Sequence, residues 1–334
     1  MSLPKVLVTI PDGPLKSHMF PAEFIKEQEK KADILWNPYG RELTEDEFYD
    51  MIRDKDACIT GWGSPKVSEK VLSNANLLRF IGHSAGTVRW LVDESFFSKG
   101  ITLTNANLAL APSVAEYCLM TLLMARWKIQ ESIQRVQTNL WQTNNDVVPG
   151  LNGCRIGLIG YGAITEEFLK LLLNFDVEVL VYSNHCHVEK QKQYRFTLAS
   201  LEEVLHCDVV SVHATLSESS RGMITRERLA MIPDGAIIMN TSRAAIVDEQ
   251  ALIDELKAGR LYGIVDVFSQ EPLPDNHPFR TLSNAIITPH SAGTSIYFRR
   301  KMAELTFDDM HKSLHGGVPR GLITYEKYLS MTPA

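Results

Sequence analysis

The feature that most constrains this chain is an alternation of short apolar runs with amphipathic stretches, and it runs twice along the sequence. Residues 6–10 (VLVTI) read as a strand, 21–30 as a helix and 32–36 (ADILW) as the next strand. TEDEFYDMIRDK reads as a helix that opens on Thr44 with an acidic first turn. ACIT (57–60) and LLRFIG (77–82) continue the pattern, and a second series runs from CRIGLIGYG (154–162) to AIITPH (285–290). Strands separated by helices build βαβ units and a parallel sheet. Two such series, each needing its own sheet, predict two α/β domains, and 334 residues is a length for about two domains.

Composition excludes some classes of partner. The chain is 45% apolar, enough for two cores, and its net charge of -6 provides no basic footprint for nucleic acid. The most apolar stretch, 108–127, is interrupted by Glu116, so it reads as a core helix rather than a membrane span, with the helix expected over 113–136. The opening MSLPKVLVTI is too short an apolar run for an export signal, and five scattered cysteines read as reduced thiols. A cytoplasmic protein with neither membrane nor nucleic-acid partners is expected.

Gly160, Tyr161 and Gly162 follow the strand RIGLI and open the helix that begins Ala163-Ile164, the context of a dinucleotide fingerprint. The first glycine permits the tight turn, and the second lets backbone N–H groups approach a pyrophosphate at a helix N-terminus. Thr165 stands where the third glycine, which serves helix–strand packing, is usual. The strand VEVLVYS ends on Ser183 and Asn184, where an acid that binds ribose hydroxyls would stand. Without that carboxylate a 2′-phosphate is not repelled, and Asn184, His185, Lys190 and Lys192 are candidates to bind one. The innocent reading of these residues is a surface turn. His185-Cys186-His187 and His206-Cys207 have the residue types of a zinc site. No paired C-x-x-C reinforces them, so no metal is expected.

Three further segments end strands with reactive side chains. MNTSRAAIVD delivers Arg243, whose guanidinium fork matches a carboxylate, although an arginine after a strand is more often a surface ion pair. DVFSQEPLP carries Asp266 and Glu271, and TPHSAG carries His290 with small residues after it. A lone histidine is usually structural, but a carboxylate beside an imidazole orients the ring and favours its cation, as an acid/base pair needs.

Together these segments resemble the D-isomer-specific 2-hydroxyacid dehydrogenase family, which includes glyoxylate/hydroxypyruvate reductases and phosphoglycerate dehydrogenases. The likeness runs over nearly the whole chain: GITLTNANLALAPSVAEYCLMTLLMAR, LASLEEVLHCDVVSVHATL, MIPDGAIIMNTSRAAIVDEQALIDELKAGRLYG, DVFSQEPLP and NAIITPHSAG occur in the family's order. The resemblance implies two doubly wound parallel-sheet domains. One is a flavodoxin-like substrate domain over 1–103 and 295–334, the other a Rossmann domain over 104–294. It implies hydride transfer between NAD(P)H and a small 2-oxo/2-hydroxy acid of D configuration. Arg243, Glu271 and His290 take the catalytic positions. Gly160, Tyr161, Gly162, Ala163, Ile164, Ser183, Asn184, Ala214, Thr215, Thr241, Ser242, Arg243, Asp266, His290 and Gly293 fall at the cofactor, with a lean to NADP from Ser183. His83, Ser84, Ala85 and Gly86 form the substrate loop with Arg243 and His290, and its backbone N–H groups are expected to take the substrate carboxylate. His83 is expected either at the substrate's variable end or as a solvated loop histidine. The resemblance also implies a homodimer through the apolar helix and the loop holding Trp141. The chain departs from the family pattern at Thr165, Ser183, Thr215 (for Pro) and Ala244-Ala245 (for Gly-Gly). It is also one residue short between Gly263 and Asp266, and a regulatory domain after residue 334, as in the long phosphoglycerate dehydrogenases, is not expected. The alternative of another class is a dinucleotide-sensing corepressor with little turnover, which shares the fold and the three residues.

Overall fold

The computed structural model describes residues 3–141, 147–184, 186 and 188–331. The chain forms two compact units, residues 1–110 with 294–334 and residues 111–293. Sequence reasoning set these limits at 103/104 and 294/295.

The first unit contains the strands β1 (Lys5–Val8), β2 (Asp33–Trp36), β3 (Ala57–Thr60), β4 (Phe80–His83) and β5 (Thr102–Asn105). All neighbours are parallel, in the order β2-β1-β3-β4-β5, the flavodoxin-like arrangement. Period-2 alternation puts both sheet faces to use. Val6 and Val8 of β1 pack with Phe20 and Phe307 on one side, and Leu7 packs with Phe48, Leu91 and Ile323 on the other. The helix Glu45–Ile52 starts on a reciprocal cap: Thr44 Oγ1 accepts the Glu47 N–H at 3.2 Å, and Glu47 Oε2 accepts the Thr44 N–H at 2.8 Å. The late helix Ile296–Leu314 belongs to this unit, with Thr306 and Phe307 buried against it.

The second unit contains β6 (Arg155–Ile159), β7 (Glu178–Tyr182), β8 (Thr197–Leu198), β9 (Val209–Val212), β10 (Ile237–Asn240), β11 (Tyr262–Val265) and β12 (Ala285–Ile287). The parallel order is β12-β11-β10-β9-β6-β7-β8, which is the Rossmann order with its switch point between β6 and β9. The strands β9 and β10 are buried along their length, as a sheet covered on both faces requires.

The expected single helix over 113–136 is two helices. One runs Asn107–Arg126, straight through Pro112, and the other Ile129–Gln137. They break at Lys128, whose φ of 48° is left-handed. The first is long and apolar enough to cross a membrane by length and composition. However, Ser113, Val114, Ala115, Cys118, Thr121 and Leu122 are buried in the protein, as in a core helix.

Candidate active site

In the second unit the expected site residues stand at the C-terminal ends of neighbouring strands. Along the sheet edge they run His290 after β12, Asp266 after β11, Thr241 to Arg243 after β10, Ala214 and Thr215 after β9, Gly160 to Gly162 after β6, and Ser183 and Asn184 after β7. That edge is where open α/β sheets receive ligands.

His290 Nδ1 lies 2.7 Å from Glu271 Oε2. The carboxylate is an acceptor, so Nδ1 carries the hydrogen and Nε2 faces away from the pair. Nε2 makes no hydrogen bond among the described residues. Glu271 is fixed in turn by the Phe268 N–H, 3.0 Å from Oε1. Partial burial opposes its ionisation, but the His290 ring, the Phe268 N–H and Arg243 outweigh that and hold its pKa below the ordinary 4.5. His290 has a φ of 51°, a left-handed conformation uncommon for a non-glycine residue and frequent at functional sites.

Arg243 is half-buried, and its Nη1 donates to the Ser242 carbonyl at 2.7 Å. It has no carboxylate within ion-pair distance among the described residues, so the surface ion pair does not apply. Burial pushes its pKa down and Glu271 pushes it up, the first effect winning. An unpaired, partly desolvated guanidinium at a strand end is suited to an anion. Its turn is tied by the buried Asn240, which accepts the Ser242 N–H and donates to the Arg243 carbonyl, both at 3.0 Å. Ala244 and Ala245 fit a short 3₁₀ turn, Ala244–Ile246, which does not need the family's glycines.

Asp266 is 1% exposed, and both its oxygens are engaged by the His290 segment. Oδ1 accepts from the Ser291 N–H at 2.8 Å and the Thr288 hydroxyl at 2.6 Å, and Oδ2 from the Ala292 N–H at 2.9 Å. The short β11–Asp266 connection therefore leaves the carboxylate facing β12. Sequence reasoning missed Thr288, Asn240 and Tyr117, whose hydroxyl bonds to Thr288 Oγ1. The only advance signals were a hydroxyl residue just before Pro289-His290 and a polar tip in an apolar helix.

At the dinucleotide turn Gly160 has a φ of +101°, and a Cβ there would lie 2.6 Å from the Ala214 backbone. Ser242 Oγ bonds to the Ala214 carbonyl, so the ends of β6, β9 and β10 are linked. Gly162 is extended and precedes the helix Ala163–Leu172, which has no side-chain cap. Its first-turn N–H groups are therefore left for an outside acceptor, which fits a pyrophosphate. Thr165 is fully buried and donates to the Gly160 carbonyl at 3.0 Å. The close helix–strand approach falls instead on Gly157, where a Cβ would lie 2.5 Å from the Val204 carbonyl oxygen. Thr215 accepts the Ser220 hydroxyl at 2.7 Å, so serines shape the turn in place of proline.

One expectation at the β7 end needs adjustment. Lys190 is engaged by Glu166, Nζ to Oε1 at 3.1 Å, and Tyr161 donates to the same carboxylate at 2.9 Å. A role for Lys190 toward a 2′-phosphate would cost that pair. His185 and His187, weighed for metal, lie outside the described residues. His206 Nδ1 bonds to the Glu202 carbonyl at 2.7 Å, and Cys207 is a buried thiol that burial pushes up to about 11.

In the first unit the loop after β4 divides into two parts. His83 corrects both sequence readings. It is the last residue of β4, 1% exposed, with Nδ1 2.9 Å from Thr60 Oγ1 and its ring edge-on to Trp90. Burial pushes the imidazole down to about 3, so it is a neutral core residue. Ser84 is also committed inside the unit, its N–H to the Thr60 carbonyl at 2.8 Å and its hydroxyl to Thr306 at 2.9 Å. The N–H groups of Ala85 and Gly86 donate to no acceptor among the described residues, and Asn105 fixes the Gly86 carbonyl at 2.7 Å.

A family model described as D-isomer specific 2-hydroxyacid dehydrogenase, NAD binding domain, matches residues 119–292, more than half of the chain. The chain is 31% identical to a glyoxylate reductase of Thermofilum pendens, covering 98% of this chain and 96% of the relative. It is 28% identical to a hydroxypyruvate reductase of Thermotoga maritima, covering 81% and 89%. Among solved structures, the TT0316 protein of Thermus thermophilus aligns with a TM-score of 0.76 at 28% identity, covering 96% of this chain and all of that one. Relatives named as reductases favour turnover over the corepressor alternative. The chain therefore belongs to the D-isomer specific 2-hydroxyacid dehydrogenase family, as an NAD(P)-dependent oxidoreductase of hydroxy acids.

Proposed function

We propose that this enzyme reduces small 2-oxo acids such as glyoxylate and hydroxypyruvate to 2-hydroxy acids, of D configuration where C2 of the product is chiral, with His290 as proton donor. The carrying observation is the His290–Glu271 pair, which engages Nδ1 and leaves Nε2 for a substrate oxygen. A bound reduced nicotinamide supplies the hydride. Arg243 holds the substrate carboxylate and carbonyl oxygen with its fork of donors. His290, charged and held by Glu271, gives its Nε2 proton to the developing alkoxide. The Gly160–Gly162 turn and the helix it opens grip the pyrophosphate. Substrates named for the relatives define the first assay: a panel of 2-oxo acids with NADH and NADPH, followed by nicotinamide absorbance. Tight dinucleotide binding without oxidation of either cofactor by any acid would instead favour a binding module.

Cofactor preference leans to NADP, because Ser183, the first residue after β7, brings no carboxylate to repel a 2′-phosphate. Ser183→Asp should move kcat/KM toward NADH by about tenfold or more, since like charges repel at that site. A parent enzyme that clearly prefers NADH would overturn the lean.

A homodimer is the proposed assembly. Met120, Trp127, Ile133, Val136, Leu140 and Trp141 are exposed along the two helices and the segment after them. That is more apolar surface than isolated exposed residues explain. Light scattering should give about twice the 37.6 kDa chain mass. A single-chain mass at micromolar concentration would refute the dimer. Buried thiols at Cys58, Cys118, Cys154 and Cys207 support a reducing, cytoplasmic setting.

A further inference from the structure

We propose that Tyr117 and Thr288 are positioning residues for His290, acting through the buried Asp266 carboxylate; this rests on the reading of His290 as the proton donor. Hydrogen-bond direction carries the case. An ionised carboxylate only accepts, so Thr288 must give its single hydroxyl hydrogen to Asp266 Oδ1, 2.6 Å away. The Thr288 oxygen is then the acceptor for Tyr117, and Tyr117 is the donor. The chain runs one way: Tyr117 O–H to Thr288 O–H to Asp266. The same carboxylate takes the Ser291 and Ala292 N–H groups at 2.8 and 2.9 Å.

His290 therefore sits on a short bridge of backbone anchored to Asp266 on both sides, at Thr288 before it and at Ser291 and Ala292 after it. Its left-handed φ of 51° is a conformation that persists where the surroundings over-determine it. Asp266 supplies that constraint, and Tyr117 and Thr288 orient Asp266. Neighbours on the same helix hold nearby parts of the site. Ser113 Oγ donates to the Ala292 carbonyl at 3.0 Å, and Cys118 Sγ lies 3.4 Å from Thr241 Oγ1 in the turn that carries Arg243. One face of the helix Asn107–Arg126 thus touches both the His290 and the Arg243 turns. Tyr117 is mostly buried, and burial pushes its hydroxyl up to about 12, so it remains a neutral donor throughout the working pH range.

A purely structural network would change stability and cofactor affinity along with rate, whereas a positioning role separates them. The test compares Tyr117→Phe, Thr288→Val and Thr288→Ser with the parent and His290→Ala, on a 2-oxo acid that the parent reduces. Thr288→Val should lower kcat by about 10- to 100-fold, the loss of one hydrogen bond to a charged group. Tyr117→Phe should lower it about 3- to 10-fold, with the NADPH and NADH Kd from fluorescence titration within about twofold of the parent. Thr288→Ser should recover most of the rate, because it keeps the hydroxyl. Parent-like kcat in Thr288→Val, an equal loss of dinucleotide affinity, or a serine variant no better than valine would overturn the proposal. If Thr288→Val fails to fold, as thermal unfolding would reveal, unchanged kcat in Tyr117→Phe overturns it instead. Normal turnover in His290→Ala would remove the proton-donor reading and this proposal with it. An inactive His290→Ala beside parent-like Thr288→Val and Tyr117→Phe would remove the proposal alone.

Discussion

His290→Ala is expected to lower kcat by about 10²–10⁴-fold, the usual contribution of a positioned acid, while dinucleotide affinity stays near the parent's. Reduction of a carbonyl builds negative charge on its oxygen, and a proton must meet that charge. The His290 ring has Nδ1 fixed on Glu271 and Nε2 directed elsewhere, the division of labour an acid needs. Removing the ring leaves the loop anchored, because Asp266 holds the backbone of Ser291 and Ala292 rather than the imidazole. The pyrophosphate turn lies two strands beyond the Arg243 turn in the same sheet, at the end of β6, so binding and proton transfer should separate. Glu271→Gln should cost less than His290→Ala, since the amide oxygen can still accept from Nδ1, although the charge and the acceptor for the Phe268 N–H are lost. Glu271 has a pKa below its ordinary 4.5. Its charge is therefore fully present above that value and is lost only as pH falls through the lowered one. Assays between about pH 5 and 8 thus keep Glu271 ionised in the parent. Single-turnover kinetics beside cofactor titration measures both quantities. Near-normal turnover in His290→Ala would remove the mechanism.

Much of the architecture was legible because parallel α/β folds announce themselves locally. Short buried strands, helices between them and a glycine turn after β6 are properties of neighbouring residues. The strand-end placement of Arg243, Glu271 and His290 follows from the same alternation. What was not legible depends on contacts through space. His83 looked like a loop residue, but β4 runs one residue further than LLRFIG suggested, and its ring turns inward onto Thr60 and Trp90. The long helix was expected to start at 113, just after Pro112. The helix instead begins at Asn107 and passes through it. The break at Lys128 involves neither glycine nor proline, so no local signal marked it. The roles of Tyr117 and Thr288 need the distance between a helix and a strand more than 170 residues later.

Gly162→Val is expected to weaken NADH and NADPH binding by about 10²–10⁴-fold, the loss of about two charge-assisted hydrogen bonds, while the second unit stays folded. The two glycines of this turn make opposite predictions. At Gly160 the φ of +101° disfavours any side chain, and a Cβ would meet the Ala214 backbone at 2.6 Å. Gly160→Val therefore damages the fold itself, and lost binding in that variant says little about the cofactor. At Gly162 the backbone is extended, with φ -163°, which valine adopts readily. An added Cβ meets no protein atom within 4 Å. The protein tolerates the side chain apart from a weaker helix cap, worth about 1 kcal/mol at most for replacing glycine there. What the isopropyl group obstructs is the approach to the first-turn N–H groups of the helix Ala163–Leu172, which no side chain caps. A dinucleotide must bring its pyrophosphate to those groups to gain the helix dipole and the hydrogen bonds together. Isothermal titration with both cofactors, paired with thermal unfolding, separates the cases: Gly162→Val should unfold near the parent and bind poorly, Gly160→Val should unfold early. If Gly162→Val folds and binds NADH or NADPH as the parent does, the pyrophosphate does not sit on this turn.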